Sequence, residues 1–232
     1  PALREKIKEV SQKGIVVVTL NDDIHDSSRL FYVGPQMRQS GKVAGELMIK
    51  FLKHSGNVIT INGDLESLDY QERQEGFREV LQESGKGINI IANYTYDYKK
   101  LAHGGEAVLK SILDNLDRID GIYDIDGGQL CNVAKVVRSC PNLKDAVLIG
   151  HEIWGGLKEY LEDGTIDACI SQDPYSQGYF VIKLLFDYLQ DGKKPDSDRM
   201  YTRIDVIIKE NLIKFSNIIN PYYASGQSQY NS

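Results

Sequence analysis

Cysteine is scarce in this chain, and the three that occur, Cys131, Cys140 and Cys169, form no C-x-x-C spacing and no even-numbered framework. That argues against a disulfide-stapled scaffold and suits thiols packed in the core or at the surface in a reducing compartment. Histidine is equally sparse, and His25, His54, His103 and His151 lack the paired spacing of a zinc site, so no metal is expected. Positive charge runs short as well: 27 Lys and Arg against 33 Asp and Glu leave a net charge of −6. A broad nucleic-acid footprint on this piece is thereby disfavoured, because phosphate binding needs clustered cations. No apolar run reaches the length of about eighteen residues that a spanning helix requires, and no leader peptide opens the chain. Missing too are a Gly-x-Ser-x-Gly elbow, a P-loop and a Gly-x-Gly-x-x-Gly turn after a strand. Gly127-Gly128 has neither a third glycine nor a lysine partner, so no cofactor is expected. Asp126 and Glu152 are the one acid/base pair to weigh, and nothing in the sequence perturbs either. The chain reads as a non-enzyme.

What the chain does have is rhythm. Its 232 residues, 41% apolar and 26% charged, suit one large or two small globular domains. Short apolar segments at Ile15–Leu20, Leu30–Val33, Asn57–Ile61, Ile88–Ala92, Gly121–Ile125, Ala146–Ile149, Ile166–Ser171 and Tyr201–Ile208 predict strands. Between them run helical patterns: Met37 to about His54, Asp69–Glu83, Gln129–Ser139, Trp154–Asp163, and a long one after Asp173-Pro174. The last carries Tyr179, Ile182, Leu185, Phe186 and Leu189 at helical spacing. Alternation of this kind predicts an α/β fold with mostly parallel sheets.

Polar residues gather at the carboxyl ends of the predicted strands: Asn21 and Asp22, Tyr94 to Tyr98, Asp126, Glu152 and Gln172, with Arg73 in the loop-to-helix segment after Ile61. In a parallel sheet these share one edge, where ligands of α/β proteins collect. Carboxylates and amides accept hydroxyl hydrogens, arginine donates through a planar fork, and aromatic rings pack on a sugar's apolar face. Solvated loops also place polar residues at strand ends, and the pattern alone does not separate the two readings.

Six motifs carry a family resemblance. Val16-Val-Val-Thr-Leu-Asn-Asp22, Tyr32-Val-Gly34, Gln39-Ser-Gly-Lys-Val-Ala-Gly45, Glu72-Arg-Gln-Glu-Gly-Phe77, Leu148-Ile-Gly-His-Glu152, and Asp163-Gly-Thr-Ile-Asp-Ala through Ser171-Gln-Asp-Pro174 resemble the effector domain of LacI/GalR-type transcription regulators. That fold also serves ribose-binding-protein-like periplasmic receptors. The resemblance implies a periplasmic-binding-protein-like type I fold of two α/β lobes with ligand in a cleft, preceded by further chain. It assigns 1–35 and 173–197 to the first lobe, 36–172 and 198–215 to the second, and 216–232 to a tail. By the same resemblance Asn21, Asp22, Asp69, Arg73, Tyr98, Asp126, Glu152 and Gln172 bind the ligand, a sugar or polyol. It further implies a cytoplasmic homodimer that reaches operator DNA through a headpiece outside this chain. The alternative is a periplasmic sugar receptor of an ABC transporter or the input domain of a sensor kinase.

Overall fold

The computed structural model describes residues 2–63, 67–95, 109–111, 113, 116, 118–153 and 156–213. In chain order its elements are α1 (Ala2–Gln12), β1 (Thr19–Leu20), β2 (Tyr32–Gly34), α2 (Met37–Phe51), β3 (Ser55–Asn62), α3 (Leu68–Glu83), β4 (Gly87–Thr95), β5 (Gly121–Asp124), α4 (Leu130–Ser139), β6 (Val147–His151), α5 (Leu157–Glu162), β7 (Ala168–Ser171), α6 (Pro174–Asp191), β8 (Arg199–Tyr201) and β9 (Asp205–Ile207). The chain divides into two compact units, one of Pro1–Gln36 with Gln172–Asp205 and one of Met37–Ser171 with Val206–Ser232. The α/β alternation and the parallel sheets are as predicted.

The first unit holds the parallel sheet β1-β2-β8, in which Thr19 pairs with Tyr32 and Tyr32 with Arg199. Helix α6 covers it through Val181, packed with Phe31 and Val33. Asp173 caps that helix by accepting the Ser176 N–H at 3.2 Å, and Pro174 supplies the fixed φ of a first helical turn. Gly192, at φ 69°, ends it in the left-handed conformation. A buried ion pair organises the loop after β1. Asp23 takes Arg29 Nη2 at 2.6 Å and Nε besides, and the Thr19 hydroxyl at 2.9 Å. Burial pushes the Asp23 carboxyl up, but Arg29, Thr19 and the Ile24 N–H outweigh it and hold the group below its ordinary range.

Two predicted elements change here. The Ile15–Leu20 strand keeps only Thr19–Leu20 in the sheet. The expected Tyr201–Ile208 strand is two, β8 and β9, which pair in different sheets. Between them the Thr202 hydroxyl donates to the Gln172 carbonyl at 3.0 Å, turning the backbone out of the ladder.

The second unit is a six-stranded sheet ordered β4-β3-β5-β6-β7-β9, with β3 parallel to both β4 and β5, β5 to β6, and β6 to β7. One face packs on α4 and α5 through Ile61, Ile122, Leu148, Cys169, Leu130 and Leu161. Side chains alternate along a strand, so Tyr123 and His151 turn the other way, and Phe77 of α3 stacks on Tyr123 at 4.5 Å. Helices α2 and α3 lie against each other at unusual closeness. A Cβ on Gly41 would stand 1.9 Å from the Arg73 carbonyl oxygen, and one on Gly76 would stand 2.0 Å from that of Arg38. Only hydrogen fits at these two crossings, which sets the position of α3 and of the arginine it carries.

Candidate functional site

Within the second unit the parallel strands bring several of the expected residues to one edge, at the carboxyl ends of β3, β5 and β6. Arg73 lies in the first half of α3 and is 3% exposed. Its Nη1 donates to the Ile125 carbonyl at 2.8 Å, just past β5, and its Cζ stands 6.0 Å from the Tyr70 ring centroid. Asp69, one turn earlier, is buried in the opening turn of the same helix, where the helix dipole favours a carboxylate. The N-cap position of this helix is Ser67, which makes no side-chain cap bond.

Asp126 is buried after β5, and its Oδ1 accepts the Gly128 N–H at 2.6 Å, a turn that leads the chain into α4. Glu152 follows β6 with φ 65°, a left-handed backbone rare for a glutamate, and its N–H reaches the Ile170 carbonyl at 2.9 Å. The register Tyr123 to Ile149 sets β5 and β6 side by side, so these residues share one rim with Arg73.

Three further residues belong to this rim that the sequence pattern does not single out. Asn62 ends β3 and is buried with neither end of its amide hydrogen-bonded. Asp124 ends β5 fully buried, and the N–H groups of Asp126 and Gly127 face it without closing a hydrogen bond of ordinary geometry. Burial first, and then the Asp126 charge, push the Asp124 carboxyl well above its usual range. His151 ends β6, where Tyr123 Oη meets its Nε2 at 2.8 Å. Burial and the neighbouring Arg73 charge hold this imidazole well below its ordinary range, so it is neutral. The Tyr123–His151 pair is therefore an uncharged strut behind the arginine.

The remaining candidates lie elsewhere. Asn21 and Asp22 belong to the first unit, just past β1. Asn21 adopts φ 66°, its Nδ2 donates to Asp22 Oδ1 at 2.8 Å, and its carbonyl accepts the Tyr32 hydroxyl at 2.8 Å. Gln172 is also of the first unit; its carbonyl accepts Gln177 Nε2 at 2.7 Å. Tyr98 lies outside the described residues, as does the 216–232 tail.

An array of buried carboxylates, an amide and a braced guanidinium at the carboxyl edge of a parallel sheet suits binding of a neutral polar molecule. No group of three or more metal-ligating side chains occurs among the described residues. A sequence profile of the periplasmic binding protein domain matches residues 1–194. The chain belongs to that family. This periplasmic binding protein domain is 22% identical over 204 residues to the D-ribose/D-allose-binding protein of Pseudomonas aeruginosa, covering 85% of this chain and 62% of that one. GanP, a glucose-galactose binding protein from Geobacillus stearothermophilus, is 28% identical with a TM-score of 0.80, covering 89% of this chain and 72% of its own. An ABC transporter solute binding protein from Burkholderia graminis, solved with D-arabinose, is 25% identical with a TM-score of 0.81, covering 90% and 72%. The domain spans 50% to 62% of the length of the first curated relatives it matches.

These relatives overturn the LacI/GalR assignment, and with it the reading as a transcription regulator. The six motifs map to strand ends and to helix faces that position them. They belong to the shared α/β fold and carry no information about a DNA headpiece. Operator DNA and the homodimer belonged to that reading alone. The cytoplasmic placement falls as well, since the relatives are periplasmic and transporter binding proteins. Its cysteine argument was weak for a physical reason: Cys140 and Cys169 are buried and fill the core, whatever the compartment.

Proposed function

We propose that this domain is the sugar-binding part of an ABC-transporter solute receptor and that it takes a monosaccharide at the carboxyl edge of its six-stranded sheet. The observation that carries the reading is Arg73: a guanidinium buried on α3, braced by the Ile125 carbonyl, on the same rim as Asp126 and Glu152. A guanidinium fixed in this way is a planar donor of the kind that suits vicinal hydroxyls, while carboxylates and the Asn62 amide accept or exchange hydroxyl hydrogens. A charged substrate would meet the buried acids at a cost, whereas a neutral polyol satisfies them. Relatives named for ribose, allose, arabinose, glucose and galactose support an aldose and leave its identity open. In the first unit Asn21, Asp22 and Gln172 are the candidates, to be tested singly by the same assay.

The test is a thermal-shift panel of pentoses and hexoses on the complete polypeptide. A ligand at about 100 times its Kd stabilises by about 2.7 kcal/mol, a shift that is readily read. One or more aldoses should raise the Tm, and Asp126→Ala should abolish that rise. A panel in which no sugar moves the Tm would refute the proposal.

A further inference from the structure

Helix α3 divides its charges between two sides. Glu75 and Glu79 meet α2, with Arg38 to Glu75 at 2.7 Å and Lys42 to Glu79 at 3.0 Å. The side turned to β4 is marked by Gln74, whose Nε2 donates to Asn93 Oδ1 at 3.0 Å. Arg78, Leu81 and Gln82 follow Gln74 by four, seven and eight residues, so they share that side. From Gln74 onward it carries a cation and no acid.

Between this side of α3 and β4, the edge strand of the six-stranded sheet, lies a cleft of about 410 Å³, a size that suits a small molecule. Buried Leu81 and Ile88, with half-buried Ile90, give it an apolar floor. Around them stand Arg78, Lys86 and the amides of Gln82, Asn89 and Asn93, and no carboxylate lines it among the described residues. Arg78 is half-buried, and neither it nor Lys86 has a side-chain hydrogen bond or ion-pair partner among the described residues. Asn93 Oδ1 also accepts the Thr60 hydroxyl, so its Nδ2 remains as a donor. In a chain of net charge −6, an acid-free cleft with two cations is a local reversal of sign. A cation partly withdrawn from water gains most from an anion that replaces its lost hydration. The cleft uses the last two turns of α3 and starts from Ile88, near the amino end of β4, whereas Arg73 and the sugar rim lie toward the carboxyl ends of the strands.

We infer that this cleft is a second binding site, which takes a small organic anion. Arg78 and Lys86 hold its carboxylate or phosphate head, and its apolar body lies on Leu81, Ile88 and Ile90. Arginine supplies a planar fork of donors and lysine a point charge, and either head group accepts both. This site is independent of the sugar reading.

The test titrates phenyl phosphate and benzoate into the complete polypeptide by calorimetry at constant ionic strength, with inorganic phosphate and phenol as the head and the body alone. At least one of the two ring anions should bind saturably, about tenfold or more tighter than inorganic phosphate or phenol, and the tighter of the pair identifies the head group. The double variant Arg78→Gln/Lys86→Gln should weaken that binding about tenfold or more and leave the apo Tm unchanged. Hydrogen exchange on the wild type gives a second reading that needs no variant: the bound probe should slow exchange in 78–93 and leave 124–130 as it was. The inference is overturned if neither ring anion binds, if the variant binds as tightly as the wild type, or if inorganic phosphate binds as tightly as phenyl phosphate. Protection outside 78–93, or displacement of the probe by an aldose that raises the Tm, would overturn it as well.

Discussion

Arg73 is held from two directions, by its own helix and by the Ile125 carbonyl, so its removal affects stability as well as binding. Arg73→Ala should lower the apo Tm, because it strips a buried carbonyl of a charged donor, a loss of about 1–3 kcal/mol. Arg73→Lys should restore part of that stability without restoring the fork, leaving sugar affinity low by calorimetry. Asp124 behaves in the opposite sense. Its carboxyl is held above its unfolded value, so its ionisation opposes folding as pH rises. Asp124→Asn should therefore raise the Tm near pH 8, and the gain should vanish near pH 4, where the wild-type carboxyl is already protonated. A Tm that falls at both pH values would show that the carboxylate is needed as an acceptor. Residues such as Asp124 and Asn62 were not legible in the sequence. Period-two alternation gives a polar strand residue to solvent, and only a sheet covered on both faces buries it. Arg73, Asp126 and Glu152 could be picked out because they follow strands or open helices.

At the scale of elements, the crossing of α2 and α3 sets the site. Gly76→Ala would drive a methyl into the Arg38 carbonyl and push α3 outward. Sugar affinity should fall at least tenfold by calorimetry, together with a lower Tm; unchanged affinity would mean α3 has room to adjust. The same two helices are tied at the surface by Arg38 to Glu75 at 2.7 Å and Lys42 to Glu79 at 3.0 Å, with Arg38 also on Glu79. Hydrogen bonds from Arg38 and Lys42 hold Glu79 down at about 2. A depressed carboxyl adds stability above its ordinary value of 4.5 and loses it as pH falls toward 2. The Tm difference between wild type and Glu79→Gln should be small and positive at pH 7 and should close across that interval. Most strands and helices were readable from apolar spacing, but Ile15–Leu20 keeps only two residues in its sheet and Tyr201–Ile208 divides in two. The apolar residues at helical spacing in α6 announce burial, yet four of the five sit on or near its exposed side. Tyr201–Ile208 looks like one strand because nothing local marks the bend at Thr202, which is fixed by the Gln172 carbonyl far away in sequence.

Taken as a whole molecule, the α/β alternation was enough to reach the fold class, because strand–helix rhythm admits few solutions, and the six motifs supplied the two-lobed fold by resemblance. The alternation was not enough to separate a regulator from a transporter receptor, since the same strand–helix rhythm serves both. The central claim is that one rim of the six-stranded sheet receives the sugar. Hydrogen exchange followed by mass spectrometry on the complete polypeptide, with and without the aldose that gives the largest thermal shift, tests it most directly. Slowed exchange in 61–73, 124–130 and 150–153, with the opposite ends of the same strands unchanged, is the predicted result. Protection confined to other segments, with these three indifferent to the sugar, would contradict the account.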